Sequence, residues 1–322
     1  MRRPRRSSHR WVYVVWGLNG IGLLVVIAVS VLYTSSLRAA AADEPISTTS
    51  PTATRNIPPT GYFLPTLTPN PRSTLPSFEI STPFVLAEGP RPTIIGFSLA
   101  ARPIEVYTFG NGRKEYLIVA GIHGGYEWNT IALANELITH LSENPDAIPT
   151  GVTLHIIRNM NPDGEARAHG VDGRVNNNGV DLNRNFPSEN WVKEWDRNGC
   201  WIYRPTTAGI YGGSEPETRS VMGFIQNHAL EAVISYHSAA LGVFPGGVPW
   251  TAPSKRLASA LSNVTDYPYP PIDTGCDYTG TLADWAVENG VGAAVDMELK
   301  NHRDSDFEEN LKALSVLLNF VP

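Results

Sequence analysis

The chain has 322 residues, 42% of them hydrophobic, which is enough apolar material for a sizeable buried core. Its formal net charge of −6 argues against nucleic acid as the main partner, because nucleic-acid-binding proteins carry an excess of basic residues. Length alone permits one large domain or two small ones.

The N-terminal segment is basic and then apolar. Residues 2–10 contain five arginines and no acidic residue, and residues 11–33 follow without a charge. As a helix, this second run is long enough to cross a hydrocarbon core of about 30 Å. The pattern predicts a cytoplasmic tail at 1–10 and a transmembrane signal-anchor at 11–33, with the rest outside the cytoplasm. A cleaved signal peptide, ending near the small residues at 39–42, is the alternative and would give a secreted protein.

The next segment, residues 34–90, is rich in proline, serine and threonine. Eleven of the 26 prolines lie between residues 43 and 92. Such a composition favours extended conformations and cannot bury enough surface to fold alone. It predicts a disordered stalk that holds a globular domain at 91–322 away from the membrane.

The globular part alternates between strand-like and helix-like patterns. Short β-branched runs bounded by turn residues predict strands, and apolar residues at helical spacing predict helices. The spacing Ser214 to Glu217, with a proline between them, indicates a capping box. The pattern favours one α/β domain with a mixed central sheet covered by helices on both faces. Strands are predicted at 105–109, 116–122, 152–157, 232–236 and 293–299, and helices at 128–141, 214–227 and 307–318.

The two cysteines of the chain, Cys200 and Cys276, both lie in this exported part. An oxidising compartment permits a disulfide between them. Two free thiols are the other interpretation, because sequence does not show whether the two Cα atoms are close enough.

Two histidines and a glutamate occupy positions suited to metal binding. His123 and His237 each follow an apolar, strand-like run, and Glu127 comes just after two glycines at the start of a predicted helix. The carboxyl ends of strands are where α/β sheets place their ligand sites. Two imidazoles and a carboxylate are a ligand set for Zn²⁺ that leaves one position open. Either histidine alone would be a structural residue, but the combination predicts a zinc site.

Glu298 is the candidate proton-transfer residue. It lies on an apolar strand, and the two-residue period places Asp296 on the same face. A buried carboxylate has a raised pKa, as a general base requires. A salt bridge to Lys300 is the structural alternative.

Two arginines lie in the polar stretch between the histidines. Arg184 follows Asn183 in a loop rich in asparagine, and a guanidinium there can bind a carboxylate with two hydrogen bonds. Arg174 is placed to stabilise an oxyanion. Solvated loop arginines are the alternative for either one alone.

In this order, the motifs resemble those of the zinc metallocarboxypeptidases of the carboxypeptidase A type. The resemblance extends from about residue 91 to residue 322 and implies one zinc ion per chain, held by His123, Glu127 and His237. It implies Glu298 as general base and acid, and Arg174 as the residue that polarises the scissile carbonyl. The first motif departs from the family, which places the glutamate three residues after the histidine rather than four. The glycines between them can absorb the extra residue.

The resemblance also implies how substrate is bound. Asn183 and Arg184 would bind the terminal carboxylate, and Asp181 would orient the first histidine. Tyr278 is the candidate for the tyrosine that covers bound substrate, with Tyr269 as the alternative. Ala283 would line the pocket for the last side chain, and an uncharged residue there weakens a preference for Lys or Arg.

The sequence therefore predicts a secreted or membrane-anchored zinc carboxypeptidase acting on peptides. A hydrolase or amidase for the stem peptides of the cell wall is the alternative within the same chemistry. An inactive domain that only binds peptides at the cell surface is the alternative from another class. A candidate for every catalytic role is retained, which favours an enzyme.

Overall fold

The computed structural model describes residues 91–239 and 242–322, except for the side chain of Arg197. The predicted tail, membrane anchor and stalk, residues 1–90, lie outside these ranges. Within the described ranges, no helix is both long and apolar enough to cross a membrane.

One seven-stranded sheet organises the domain. Its order is β1-β2-β4-β3-β5-β7-β6. The four central strands, β4, β3, β5 and β7, are parallel to one another, whereas the pairs β1–β2, β2–β4 and β7–β6 are antiparallel. The parallel strands are almost wholly buried, as expected for strands covered on both faces. The strands are β1 Thr93–Phe97, β2 Pro103–Gly110, β3 Lys114–Val119, β4 Val152–Ile157, β5 Leu230–Ser238, β6 Val243–Pro245 and β7 Ala293–Leu299.

Helices cover both faces of this sheet. Side chains of α1, α4 and α6 pack on one face with Ile118 and Ile234, and those of α3 and α5 pack on the other with Leu117 and Val233. The predicted mixed α/β sheet domain is thereby confirmed for the described residues. The helices are α1 Trp128–Glu143, α2 Pro162–Arg167, α3 Pro216–Gln226, α4 Ala252–Ser262, α5 Leu282–Glu288 and α6 Phe307–Asn319.

Two local predictions were wrong. The strand predicted at 116–122 ends at Val119, because the chain turns at Gly121, where φ is +65°. The capping box at Ser214 is absent: the N-cap of α3 is Glu215, and no side chain caps it. The Ser214 hydroxyl instead donates to the Glu215 carboxylate at 2.6 Å, so proline at the first turn is the signal that located this helix.

The predicted alternatives for the cysteines are resolved in favour of a disulfide. Cys200 and Cys276 are bonded, with their Cα atoms 5.6 Å apart. The bond joins two loops, and Asp277 N–H donates to the Asn198 carbonyl at 3.0 Å beside it.

Candidate active site

Three side chains predicted as metal ligands meet beyond the carboxyl ends of two neighbouring parallel strands. His123 follows β3, Glu127 ends a short 3₁₀ turn, Gly124–Glu127, and His237 lies in β5. Glu127 Oε1 is 2.8 Å from His123 Nδ1, and Glu127 Oε2 is 3.2 Å from His237 Nδ1. All three residues are buried. The sequence prediction that these residues converge is therefore met in the fold.

The extra residue in the His123–Glu127 spacing is absorbed by two glycines. Gly124 has φ +45°, in the left-handed region that favours glycine. A Cβ on Gly125 would lie 2.0 Å from the Ala168 carbonyl oxygen, so the turn packs directly on the loop after α2. Only glycine allows the 3₁₀ turn to bend tightly enough for Glu127 to return to His123.

The spacing of the three ligand atoms fits a zinc ion. The two Nδ1 atoms of His123 and His237 are 3.2 Å apart. Ligands 2.0–2.1 Å from a tetrahedral zinc are separated by about 3.3 Å, close to the 2.8–3.2 Å found between the three residues. Two imidazole nitrogens that face each other beside a carboxylate are a donor set for a borderline cation.

Asp181 and Arg174 support the first histidine. Asp181 Oδ1 is 3.0 Å from His123 Nε2, which fixes the ring with Nδ1 toward Glu127. The other carboxylate oxygen of Asp181 accepts from Arg174 Nε and Nη2, both at 2.8 Å. Burial alone would raise the pKa of Asp181, but Arg174 and His123 together outweigh it and hold that pKa well below its usual range. Asp181 therefore stays ionised and orients His123, as the resemblance implied.

Arg174 also approaches the ligand cluster. Its Nη1 is 3.5 Å from Glu127 Oε1, and its guanidinium carbon lies 4.4 Å from the ring centroid of Trp201. The guanidinium is thus held rigidly at the side of the site, where a developing negative charge would meet it.

A separate group of side chains supports His237. Its Nε2 is 3.0 Å from Ser235 Oγ, 3.2 Å from Asn183 Nδ2 and 3.6 Å from Asp296 Oδ1. Burial disfavours charge on this ring, but Asp296 and Glu127 outweigh it and raise the pKa of His237 to about 10. The surrounding carboxylates therefore favour a positive charge at this point, which a bound cation would supply.

Asn183 is more deeply engaged than its predicted substrate role required. Its Nδ2 also lies 3.2 Å from Asp296 Oδ2, and its Oδ1 accepts from Leu282 N–H at 2.8 Å. The side chain thus fixes His237 and joins the first residue of α5 to the site, while it still lines the pocket.

Glu298 lies opposite the ligand cluster on β7. Its Cα pairs with that of His237, and Asp296 pairs with Ser235, so the two acidic residues share a face as predicted. Among the described residues, Glu298 Oε2 has no hydrogen-bond partner. Lys300 binds Asp266 and Glu309 instead, so the salt-bridge alternative is wrong.

The electrostatic setting of Glu298 suits proton transfer. Burial, and then the negative charge of Glu127, raise the pKa of Glu298 to about 8. A carboxyl group in this state can accept and return a proton near neutral pH.

Arg184 forms part of the pocket wall. It is 5% exposed, its Nη1 donates to the Asn183 carbonyl at 2.7 Å, and its Nε has no partner among the described residues. The guanidinium carbon lies 4.7 Å from the Trp195 ring and 5.4 Å from the Tyr278 ring. Burial lowers the pKa of Arg184, but an arginine stays charged. It presents a desolvated positive charge to the pocket.

One pocket of about 950 Å³ is lined by the three ligand residues and by Arg174, Asn183, Arg184, Asp296 and Glu298. Ala283 lines it from α5 and Tyr278 from the loop carrying the disulfide, whereas Tyr269 is not among the lining residues. The Tyr278 hydroxyl is 2.8 Å from Thr274 Oγ1, and its ring meets Phe244 edge-on. The sequence-predicted site residues that face substrate therefore share one cavity.

Sequence reasoning missed several residues of this pocket. Trp195 and Trp201 cover the two arginines, and only the position of Trp201 beside Cys200 signals that it is fixed in place. His302 also lines the pocket; its Nδ1 is 3.0 Å from Ser238 Oγ and its ring centroid is 4.6 Å from that of Tyr126. Its place four residues after Glu298 was the available signal.

The family model for zinc carboxypeptidases matches residues 91–313. The chain belongs to the zinc carboxypeptidase family. Its cofactor is zinc, one ion per chain, and the ligand set of His123, Glu127 and His237 is compatible with it. Membership confirms the resemblance drawn from the sequence motifs and makes the protein a metal-dependent hydrolase.

Curated relatives include enzymes of two kinds. Murein peptide amidase A of Escherichia coli K12 is 33% identical over 135 residues, covering 39% of this chain and 49% of the relative. The gamma-D-glutamyl-L-diamino acid endopeptidase 1 of Lysinibacillus sphaericus is 27% identical over 253 residues, covering 66% and 60%. Carboxypeptidase A4 of Mus musculus is 28% identical over 244 residues, covering 64% and 56%. The chain thus spans about half to three-fifths of the length of these relatives.

Two solved structures share the fold of this domain. The murein-tripeptide amidase of Escherichia coli O157 has a TM-score of 0.55 at 25% identity, covering 72% of this chain and 93% of the other. Bovine thrombin-activatable fibrinolysis inhibitor, solved with a tick carboxypeptidase inhibitor, has a TM-score of 0.58 at 20% identity, covering 72% and 90%. The second likeness bears on the fold alone.

Proposed function

We propose that this protein is a carboxypeptidase that hydrolyses the last peptide bond of its substrates. The observation that carries the proposal is Arg184, a buried guanidinium whose Nε has no partner among the described residues and which lines the same pocket as the ligand cluster and Glu298. A desolvated arginine binds a carboxylate far more strongly than an exposed one. A free C-terminal carboxylate is therefore the substrate feature that this pocket best accommodates.

Each residue has a definite part in the proposed reaction. Zinc, when bound, acts as a Lewis acid on water and on the scissile carbonyl. Glu298 takes a proton during attack and returns it to the leaving amine. Arg174, held by Asp181, faces the developing oxyanion, and Arg184 fixes the substrate's end so that the last peptide bond reaches Glu298.

Cell-wall stem peptides are the second candidate substrate. Two relatives are named for murein peptides or gamma-D-glutamyl-L-diamino acid bonds. The pocket also carries acidic side chains beyond the catalytic group, namely Asp273, Asp277 and Asp284. A diamino acid would bring a second amine to these carboxylates, although Ala283 itself contributes no charge to the pocket wall.

A direct assay separates the two candidates. Purified protein is incubated with peptides ending in different L-amino acids and with a gamma-D-glutamyl-L-diamino acid peptide, and products are identified by mass spectrometry. Release of single C-terminal residues from ordinary peptides, blocked by a chelator, supports the carboxypeptidase. Cleavage of the gamma-D-glutamyl bond alone favours the cell-wall enzyme. Binding without cleavage of either class leaves the inactive domain as the correct interpretation.

We further propose that the domain works outside the cytoplasm, tethered by residues 11–33 or secreted after cleavage. The Cys200–Cys276 bond supports this location, because disulfides persist in oxidising compartments. Fractionation of cells, followed by sequencing of the protein's N-terminus, distinguishes a tethered from a secreted form. Recovery of the protein in the cytoplasmic fraction would contradict both.

A further inference from the structure

A second cluster of metal-ligating side chains lies apart from the active site. Glu115 is the second residue of β3, His155 lies in β4, and His228 follows α3. One ligand atom of each lies within 4.8 Å of the others. Since His123 comes after the opposite end of β3, this cluster is at the amino end of the strand.

The cluster contains two buried polar atoms without a hydrogen-bond partner. Glu115 Oε2 and His155 Nε2 are 3.9 Å apart, too far for a hydrogen bond, and neither has another partner among the described residues. His155 is 5% exposed. Buried polar atoms of native proteins are almost always satisfied, so two orphaned atoms facing each other call for a third component.

The ring orientations favour a cation as that component. His228 Nδ1 is 2.8 Å from the Phe224 carbonyl oxygen, which can only accept, so Nδ1 is the donor and Nε2 is the nitrogen left for a ligand. His155 Nδ1 is 3.0 Å from Thr108 Oγ1, a hydroxyl able to accept from it and leave Nε2 bare. Two imidazole nitrogens and a carboxylate oxygen then converge within 4.8 Å of one another.

Aromatic packing does not account for the whole arrangement. The His228 ring stacks on Phe224 at 4.1 Å, and the His155 ring meets both of them edge-on. These contacts explain the two rings but leave the carboxylate of Glu115 opposite a nitrogen that has no hydrogen-bond partner among the described residues. Closing to the separation of about 3.3 Å around a tetrahedral ion requires each separation to shorten by at most about 1.5 Å. Glu115 and His228 are only partly buried and lie near the ends of their elements, where such movement is available.

We propose that Glu115, His155 and His228 form a second site for a borderline divalent cation such as Zn²⁺. The ion would join the carboxyl end of α3 to β3 and β4. Because the site lies at the amino end of β3, its role is structural, and the reaction does not depend on it.

The test is a count of bound zinc. Full-length protein without a histidine tag is freed of metal, equilibrated with about 1 µM free Zn²⁺, a level that fills sites of submicromolar affinity, and analysed by mass spectrometry for metal per chain. We expect two zinc ions in the wild type and one in Glu115→Gln and in His228→Gln. His140→Gln is the matched control, because His140, like His228, lies near the carboxyl end of a helix beside an aromatic ring, but it is outside the cluster; it keeps two ions.

A second measurement does not depend on the folding of any variant. Crystals of the wild type grown with zinc are measured at the zinc absorption edge. An anomalous peak among Glu115, His155 and His228, in addition to the active-site peak, supports the proposal. A single zinc per wild-type chain, or a peak at the active site alone, overturns it.

Discussion

The disulfide offers the most quantitative prediction, because it joins two loops that face the pocket. Cys200 and Cys276 are separated by 76 residues, and both line the cavity. Closing a loop of that length in the unfolded chain is worth ~4.5 kcal/mol in the chain-entropy account. The double variant Cys200→Ser, Cys276→Ser is therefore expected to lose up to that amount of unfolding free energy.

The loss translates into a measurable melting temperature. For a domain of this size, 1 kcal/mol corresponds to about 2–4 °C, so the variant should melt about 9–18 °C lower. Circular dichroism or calorimetry of zinc-loaded protein measures the change. As a control, the wild type and the variant are each measured with and without a reductant. The reductant should lower the melting temperature of the wild type and leave that of the variant unchanged. A drop of less than about 2 °C would refute the loop-entropy reasoning for this bond.

The same variant should change substrate binding more than turnover. Trp201 and Tyr278 sit next to the disulfide and contact Arg174 and Arg184, whereas Glu298 lies on a sheet strand. Loosening the two loops is expected to raise KM while kcat changes little. A fall in kcat at constant KM would show that the loops support the chemistry rather than recognition.

The remaining predictions concern the proposed catalytic and binding groups. Glu298→Gln should lower kcat by about 10²–10⁴-fold while one active-site zinc stays bound, and retained activity contradicts the base. Arg184→Ala should weaken the binding of peptides with a free C-terminal carboxylate by about 10–100-fold, and an equal loss of affinity for amidated peptides would contradict its role. The pKa of Glu298 is raised, so kcat/KM should rise with pH as this group loses its proton. The positive charge of zinc lowers that pKa below about 8, so the rise of kcat/KM with pH should lie between pH 8 and the ordinary glutamate pKa. This rise should be absent in Glu298→Gln.

The ligand cluster could be predicted from the sequence, because each of its members lies in or next to a regular element. His237 and Glu298 lie on strands that the apolar pattern locates, and parallel neighbours bring their carboxyl ends together. Family spacing would have placed the glutamate one residue earlier than Glu127. Glu127 still reaches the ligand cluster, because glycine permits the φ of +45° at residue 124 that the longer turn needs.

The loops that cover the two arginines could not be predicted in this way. Trp195 and Trp201 belong to a stretch with little regular structure, where no periodicity indicates which way a side chain points. Their contacts with the arginines depend on the 76-residue connection between the cysteines, and sequence left that pairing open. The second histidine cluster was also missed, because its three members come from separate elements and no local spacing relates them.

The division between strands and loops has a consequence for specificity. Groups proposed to carry out the reaction are on or next to the sheet, and their hydrogen bonds run to other buried residues such as Asp181 and Asp296. Groups proposed to select the substrate are covered by loops that are joined by the disulfide and, beside it, by the hydrogen bond from Asp277 to Asn198. Because Tyr278 contacts Arg184 and Phe244, changes in its loop should alter which residue is released while leaving the rate of the best substrate near that of the wild type. Exchange of residues 270–279 for another sequence that keeps Cys276, assayed on the same peptide panel, tests this separation: loss of activity on every peptide would mean that the loop and the sheet form one unit.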